Sequence, residues 1–175
     1  MKKMIFTILL LIISINIFAK TGVEKEVEKI KEEFVKINSE KDYEIKTVNE
    51  PKNGIGTEYY LKNGKLKKIV NHLPIANGDS VTEYYLNNNK VFFVYRMLEF
   101  YEMREYGVVD LEHLKKIEER YYFDSKNNLI RYTEDDKTYD KGKIPQKYIE
   151  EAGYFPKTLS ELEEIRQSAL EFAND

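Results

Sequence analysis

His72 and His113 are the only imidazoles in the chain, and there is no cysteine. Zinc sites draw most of their ligands from those two residue types, so the sequence offers no zinc set, and neither a metal nor a cofactor is expected. His72 lies in a stretch punctuated by Pro and Gly and His113 in a charged one; both are expected to be exposed. A hydrolytic triad would place one of them beside a nucleophilic serine, yet no serine stands in a G-x-S-x-G turn. Asp124-Ser125-Lys126-Asn127-Asn128 has oxygen ligands at loop spacing. It lacks the glycine and the bidentate glutamate of an EF-hand loop and reads as a turn stabilised by its own Asx side chains. Acidic doublets recur at Glu118-Glu119, Asp135-Asp136, Glu150-Glu151 and Glu163-Glu164. Glycoside chemistry needs two carboxylates about 5–9 Å apart across a cleft. Adjacent residues on a strand point to opposite faces, so these doublets read as solvated surface.

The residues that could recognise a ligand are Glu83, Tyr85, Glu119, Arg120, Tyr122 and Arg131. They hold corresponding places in similar segments, where charged side chains can form cross-strand ladders with tyrosines between them. Such pairs fix strand register, at roughly 0.2–1 kcal/mol each. They can also form a Tyr/Arg/Glu binding surface, since Tyr and Arg are over-represented at interaction hot spots and the chain carries 14 tyrosines. The expectation is that Arg120, Tyr122 and Arg131 share one sheet face with Glu119 or Glu83 on a neighbouring strand.

A hairpin written three times must position them. The copies are Thr57-Glu58-Tyr59-Tyr60-Leu61 before Lys62-Asn63-Gly64-Lys65-Leu66, Thr82-Glu83-Tyr84-Tyr85-Leu86 before Asn87-Asn88-Asn89-Lys90-Val91, and Glu119-Arg120-Tyr121-Tyr122-Phe123 before Asp124 to Asn128 and Leu129-Ile130-Arg131-Tyr132. Aromatic residues suit a pleated, half-buried surface. Asn63-Gly64 tolerates the positive φ of a tight type I′ turn, and the triple Asn does so less well because each carries a Cβ. The tyrosine doublets are offset by 25 and then 37 residues. A solenoid keeps a fixed period, so three hairpins in one antiparallel sheet is the better reading.

Around them, Val23, Val27, Ile30, Phe34 and Ile37 recur at helical steps within Thr21 to Ser39, an amphipathic helix. Its other face carries Glu as often as Lys, which favours packing on the sheet over lying on a membrane. Asp42 to Asn49 alternates as a first strand, Glu50 to Gly54 is a loop, the first hairpin runs from about Gly56 to Asn71, and His72 to Asp79 is a second loop. The second hairpin starts near Ser80. Its return strand, Val91 to about Tyr101, loses alternation at Phe92-Phe93-Val94-Tyr95, which suggests a central strand covered on both faces, by helices on one side and loop side chains or a partner on the other. Glu102 to Lys116 is either a helical turn capped by Asp110 or a hairpin loop. The third hairpin ends near Thr133. Glu134 to Pro156 reads as irregular with one short helix around Gln146 to Glu151. Thr158 to Ala173 reads as a helix opened by a T-x-x-E capping box, with Leu159, Leu162, Ile165, Ala169 and Phe172 on its apolar face. Strands in a run with helices at the ends is the α+β pattern: an N-terminal helix, an antiparallel meander of about seven strands, and a C-terminal helix.

Lys2-Lys3 followed by an apolar run from Met4 to Phe18 and a small residue at Ala19 reads as a signal peptide cleaved after Ala19. The alternative is an uncleaved N-terminal anchor, which a basic stop-transfer flank would favour; none follows immediately. Residues 20–175 would form a single domain, exported to the periplasm or secreted, without a membrane anchor after cleavage. Losing two lysines takes the formal charge from −3 to −5. That argues against nucleic acid, which calls for a basic stripe, and against anionic lipid. Without cysteine there is no disulfide framework, and apolar burial at roughly 25 cal/mol per Å² must hold the fold.

Glu118-Glu119-Arg120-Tyr121-Tyr122-Phe123-Asp124 with Asn128-Leu129-Ile130-Arg131, and Glu83-Tyr84-Tyr85-Leu86 with Val91-Phe92-Phe93-Val94-Tyr95, resemble small exported bacterial proteins of uncharacterised function that have tyrosine-rich antiparallel meanders. The likeness covers most of the mature chain and implies an N-terminal helix, the meander and a charged C-terminal helix; it lends no catalytic residue. Tyr59-Tyr60-Leu61-Lys62-Asn63-Gly64-Lys65-Leu66 is also similar to the Y-Y-x-N-G-K-L repeats of MORN-type and antitoxin-component proteins, although the other copies lack that glycine. The reading that follows is an exported, non-enzymatic binding or inhibitory module that captures a protein or glycan through a Tyr/Arg/Glu sheet face or an edge strand. The alternatives are a small envelope hydrolase working through carboxylates, and a structural domain that associates with itself.

Overall fold

In a computed structural model, residues 21–50, 55–104 and 108–164 are described. The expected signal peptide and residues 165–173 of the expected C-terminal helix lie outside them. The first element is α1 (Gly22–Ser39). Strands β1 (Glu44–Glu50), β2 (Ile55–Lys62), β3 (Lys65–Ile75), β4 (Gly78–Asn87), β5 (Lys90–Met103), β6 (Val109–Phe123), β7 (Leu129–Glu134) and β8 (Lys137–Asp140) follow, then α2 (Gln146–Tyr154). Residues 159–164 are helical again. The eight strands form one antiparallel sheet in sequence order. The α+β meander expected from the sequence is therefore present, with one strand more than the seven read there.

The three hairpins share one construction. In each, the register slips immediately after the second tyrosine of the doublet, at Tyr60/Leu61, Tyr85/Leu86 and Tyr122/Phe123. The extra residues are Lys67, Phe92 and Ile130 on the return strands. A bulge of this kind puts two neighbours on the same side and deepens the twist, which is why alternation fails at Phe92-Phe93. Tight turns precede the return strands of the first two hairpins, with positive φ at Asn63 and Gly64 and at Asn88 and Asn89, as a type I′ turn requires. Asp124 closes the third turn, accepting from the backbone N–H of Lys126 at 2.9 Å and of Asn128 at 2.8 Å.

Because side chains alternate along a strand, the second and third doublets each feed two cores. Tyr85 and Tyr122 join Phe93 and Ile130 beneath Val27, Ile30 and Ile37 of α1. Phe34 of α1 packs on the Tyr85 and Phe93 rings at centroid distances of 5.0 and 5.2 Å. Tyr84 and Tyr121 face the other way, with Ile69, Val94 and Tyr132, under Tyr148 and Ala152 of α2 and Leu162 beyond it. Helices thus cover the centre of the sheet on both faces, which corrects the expectation of helices on one side and loop side chains or a partner on the other. Aromatic pairs such as Tyr132–Tyr148, 3.9 Å apart and stacked, each add about 0.5–1.5 kcal/mol to their area burial.

The covering elements are fastened by local chemistry. Thr21 and Glu24 form a full capping box at the start of α1, with bonds of 2.8 and 3.2 Å, one turn ahead of the apolar stripe. At Thr158 only half of that motif closes. Its hydroxyl accepts from the Glu161 N–H at 3.3 Å, while the Glu161 carboxylate takes the Lys157 N–H at 2.6 Å. Thr158 is instead bridged to Lys90. The second bulge is where this stretch docks: the Val91 N–H donates to the Lys157 carbonyl at 2.9 Å and the Leu159 N–H to the Asn89 carbonyl at 3.0 Å.

Elsewhere the sheet is more extensive than the sequence reading. His72 to Asp79 is mostly strand: β3 runs on to Ile75 and turns at Ala76-Asn77 into β4. Pro74 is tolerated because β2 pairs with β3 only as far as His72, leaving an edge that needs no N–H there. Glu102 to Lys116 belongs to β5 and β6 and contains no helical turn among its described residues. Asp135, at φ 47°, starts the short turn into β8, inside a stretch read as irregular. Gly78 is fixed by crowding, since a Cβ there would lie 1.9 Å from the Glu99 carbonyl oxygen. Gly78→Ala is expected to lower stability by about 1–3 kcal/mol, measured by urea denaturation. Unchanged stability would mean that the β4–β5 spacing relaxes without cost.

Candidate functional site

Five of the six candidate residues lie on the α1 face: Glu83, Tyr85, Arg120, Tyr122 and Arg131. The sixth, Glu119, points to the opposite face, because it precedes Arg120 on β6. The row closest to the turns runs Tyr60, Lys68, Tyr85, Phe93, Tyr122, Arg131 and Asp140 across β2 to β8. Tyr85 and Tyr122 are buried under α1. Burial raises the pKa of the Tyr122 hydroxyl, against Arg120 and Arg131, which lower it. Arg131 is taken by Asp140 at 2.5 Å. These three serve the interior.

Glu83 and Arg120 sit one row further out, at the margin of the α1 layer, where Tyr85 donates its hydroxyl to Glu83 and Tyr95 packs against the α1 core. That row runs Glu58, Val70, Glu83, Tyr95 and Arg120. Lys68 Nζ lies 3.7 Å from Glu83 and 4.6 Å above the Tyr60 ring, and donates to Asn38 Oδ1 at 3.3 Å. Tyr60 donates to Glu58 at 2.7 Å, and that bond, followed by burial, pushes its hydroxyl up to about 12. Further along, the Arg120 guanidinium is 5.3 Å from the centre of the Tyr95 ring and donates to Glu118 at 2.6 Å. This contact holds the Glu118 carboxyl below its usual range. Tyr95, Glu118 and Arg120 are all half-buried. Beyond them lie Met97, also half-buried, and His72, exposed. This strip combines planar, cationic and acidic groups on a rigid support.

On the other face the far ends of the central strands are partly covered, with Ser80 buried and Leu98, Phe100 and Ile117 half-buried among the described residues. Leu73, Ser80, Leu98 and Ile117 align across β3 to β6, and Ile75, Gly78, Phe100 and Lys115 form the next row. On this face Leu73 is 50% exposed; around the β5–β6 tip Met103, Val108, Leu111 and Leu114 are exposed, Leu114 on the α1 face as the partner of Tyr101. Single exposed apolar side chains need no explanation, but a contiguous group of them marks an interaction surface.

Glu119 belongs to a buried network that the sequence did not signal. Arg96 Nε donates to Glu119 at 2.5 Å, and its other end pairs with Glu151 of α2. Tyr121 donates to Glu151 at 3.1 Å, Tyr132 to Glu119 at 2.7 Å, and Tyr148 to Glu134 at 2.7 Å. Burial works against the Arg96 charge, but Glu151, Tyr121 and Glu119 hold its pKa above the ordinary value. The Tyr148 bond lowers the Glu134 carboxyl. Three carboxylates and three tyrosines around one guanidinium look like catalytic machinery. Each group is spent on another, however, and the network ties α2 to the sheet.

Asp110, Glu112 and His113 bring possible metal-ligand atoms within 4.8 Å of one another. Arg104 already pairs with Asp110 at 2.8 Å and is the main cause of that carboxyl's depressed pKa, so a cation is in place there. His72 and His113 are both exposed. Cavities indent the surface among the described residues. One of about 750 Å³ adjoins Tyr59, Leu66 and Leu159. One of about 540 Å³ lies between α1 and the hairpin turns. One of about 470 Å³ lies between α2 and the third hairpin. The Glu119–Arg96–Glu151 group lines none of them.

Comparison of the chain with family models, with curated proteins and with solved structures found no match.

Proposed function

We propose that the chain is an exported binding or inhibitory module that captures a protein through the half of its sheet that extends beyond the helices. One observation carries this: among the described residues, the far ends of β3 to β6 extend past the residues that α1 and α2 bury, and most side chains there are half-buried or exposed. One face presents Tyr95, Glu118 and Arg120, and the other presents Leu73, Leu98, Phe100 and Ile117. Aromatic, Met and Arg side chains are the types enriched in protein interfaces, and truncating a central one typically costs 2 kcal/mol or more of binding. Export, in this reading, follows from the basic and apolar N-terminal stretch and brings the module to partners in the envelope or outside the cell.

The test is capture from envelope extract by the mature chain, run beside Arg120→Glu and Leu98→Asp. Partners recovered by the wild-type chain and reduced at least tenfold by one of the two variants, with each variant's circular dichroism unchanged, support the proposal. Recovery that neither variant alters overturns it. A mass by light scattering that rises with concentration and is abolished by Leu98→Asp would instead assign the surface to self-association. A glycan partner would show as loss of capture after glycosidase treatment of the extract.

A further inference from the structure

The cavity of about 470 Å³ is lined by Phe123, Leu129, Ile144, Ile149 and Ala152 at its apolar end, and by Asn127, Asn128, Lys141 and Lys157 at its polar end. In a chain with a formal charge of −3, its lining holds two lysines and no carboxylate. We propose that this cavity binds a small carboxylate with an apolar body, the carboxylate meeting Lys157 and Lys141 and the body lying against Leu129, Ile144 and Ile149. The inference is independent of the partner surface above, which lies at the other end of the sheet.

Lys157 is an unusual lysine. Its Nζ lies 3.9 Å from the centre of the Phe123 ring and donates to the Ala152 carbonyl. Among the described residues no carboxylate comes within ion-pair distance of that Nζ. The charged groups around it are few. Glu161 lies on the following helical turn, where its carboxylate is engaged by the Lys157 backbone N–H. Lys141 comes from the segment after β8. Asp124, on the third turn, is engaged by Asn128 at 2.9 Å. α2 contributes only Ile149, Ala152 and Gly153 to the lining. Burial pushes the ammonium down to about 8, with Glu161 acting in the other direction. An incoming carboxylate supplies the missing counter-charge, and removing water from the site strengthens the pair. The size falls within the usual range of small-molecule sites, roughly 300–1,000 Å³. Ile149 is exposed and stands at the mouth.

The depressed pKa gives the test a signature. At pH 9 Lys157 is mostly neutral, and an anion that pairs with it must bring a proton along. Binding then takes up close to one proton, about 0.9 at most by linkage, whereas an anion resting on surface lysines, which are already protonated, takes up almost none. The experiment is titration calorimetry of the full chain with 4-methylpentanoate, in buffers of different ionisation enthalpy at pH 7 and pH 9. Acetate is the control for charge without body, and 4-methylpentan-1-ol for body without charge. The expected result is saturable binding of 4-methylpentanoate, proton uptake at pH 9 but little at pH 7, and at least tenfold weaker binding of both controls. Lys157→Met should keep the contact with Phe123 and abolish the proton uptake; Lys141→Gln should weaken binding while leaving that uptake in place. Equal binding of acetate, or binding without proton uptake at pH 9, reports an adventitious ion only and overturns the proposal, as does an absence of binding.

Discussion

Replacing Arg96 with methionine is expected to lower folding stability by about 3–5 kcal/mol, the usual consequence of leaving a buried charge without its partner. The residue exposed to that penalty is Glu119, whose side chain is only 5% accessible. Its oxygens are held by Arg96 at 2.5 Å and by the Tyr132 hydroxyl at 2.7 Å. Without the guanidinium, one neutral donor would face a carboxylate that water cannot reach. Methionine is unbranched and close in length to the arginine stem, so it removes chiefly the guanidinium, including its place 5.7 Å from the Phe155 ring centre. Glu151→Gln should cost far less, because that side chain is 35% exposed and water can replace its half of the pair. The decisive comparison is the double variant Arg96→Met/Glu119→Gln. With the charge gone from both partners, stability should recover relative to Arg96→Met alone, giving a coupling of more than 1 kcal/mol in a double-mutant cycle by urea denaturation. An Arg96→Met loss below about 1 kcal/mol, or strictly additive effects, would mean that Arg96 is not the counter-charge that keeps the Glu119 carboxylate buried.

That network also marks where sequence reading stops. Residues that act through their neighbours in the chain were visible in advance: the helical stripe from Val23 to Ile37, the Asn63-Gly64 turn and the doublets that read as strands. The doublets were legible because period two leaves a tyrosine pair no choice but to straddle the sheet. Even the bulge left a trace, since the failed alternation at Phe92-Phe93 is its signature, although a central strand covered on both faces predicts the same failure. Arg96 had no such marker. Its partners lie 23 and 55 residues away, and nothing beside it on β5 distinguishes it from Arg120. Of the six candidate residues, position in the repeat placed five on one face. How far α1 extends over that face decided which of them meet solvent. Tyr85 and Tyr122 fell beneath the helix, and Glu83 and Arg120 fell at its margin, half-buried. The strand β8 was missed because its turn, Asp135-Asp136, has no glycine or proline and is readable only as charge. The Lys157 cavity is assembled from a turn, a helix and a docking segment that no local pattern relates.

Raising the pH above about 10 is expected to unfold the protein in a cooperative step that carries most of its tyrosines with it. Burial is the main cause of raised hydroxyl pKa values at Tyr43, Tyr84, Tyr85, Tyr95, Tyr121, Tyr122 and Tyr132, and at Tyr60 the bond to Glu58 leads. Tyr84 is pushed up to about 12, and Tyr85, Tyr121 and Tyr132 further still. The sign follows from proton counting. The folded state keeps these protons, while the unfolded chain releases them near the ordinary tyrosine pKa of about 10. The stability they support is therefore complete below pH 10 and falls as pH rises from there towards the folded values. Two units at a mostly buried group such as Tyr84 correspond to about 2–3 kcal/mol. Several such groups together exceed the roughly 5–15 kcal/mol that holds a typical domain folded. Tyrosinate absorbance at 295 nm should thus rise in two stages, a smaller one while far-ultraviolet circular dichroism is still native and a larger one coincident with its loss. Tyr121→Phe, which ionises nowhere, should shift the second stage to higher pH by removing one of the protons that drive it. A single smooth absorbance rise centred near pH 10, with native dichroism throughout, would show that the doublets are open to water and that neither helical layer covers them.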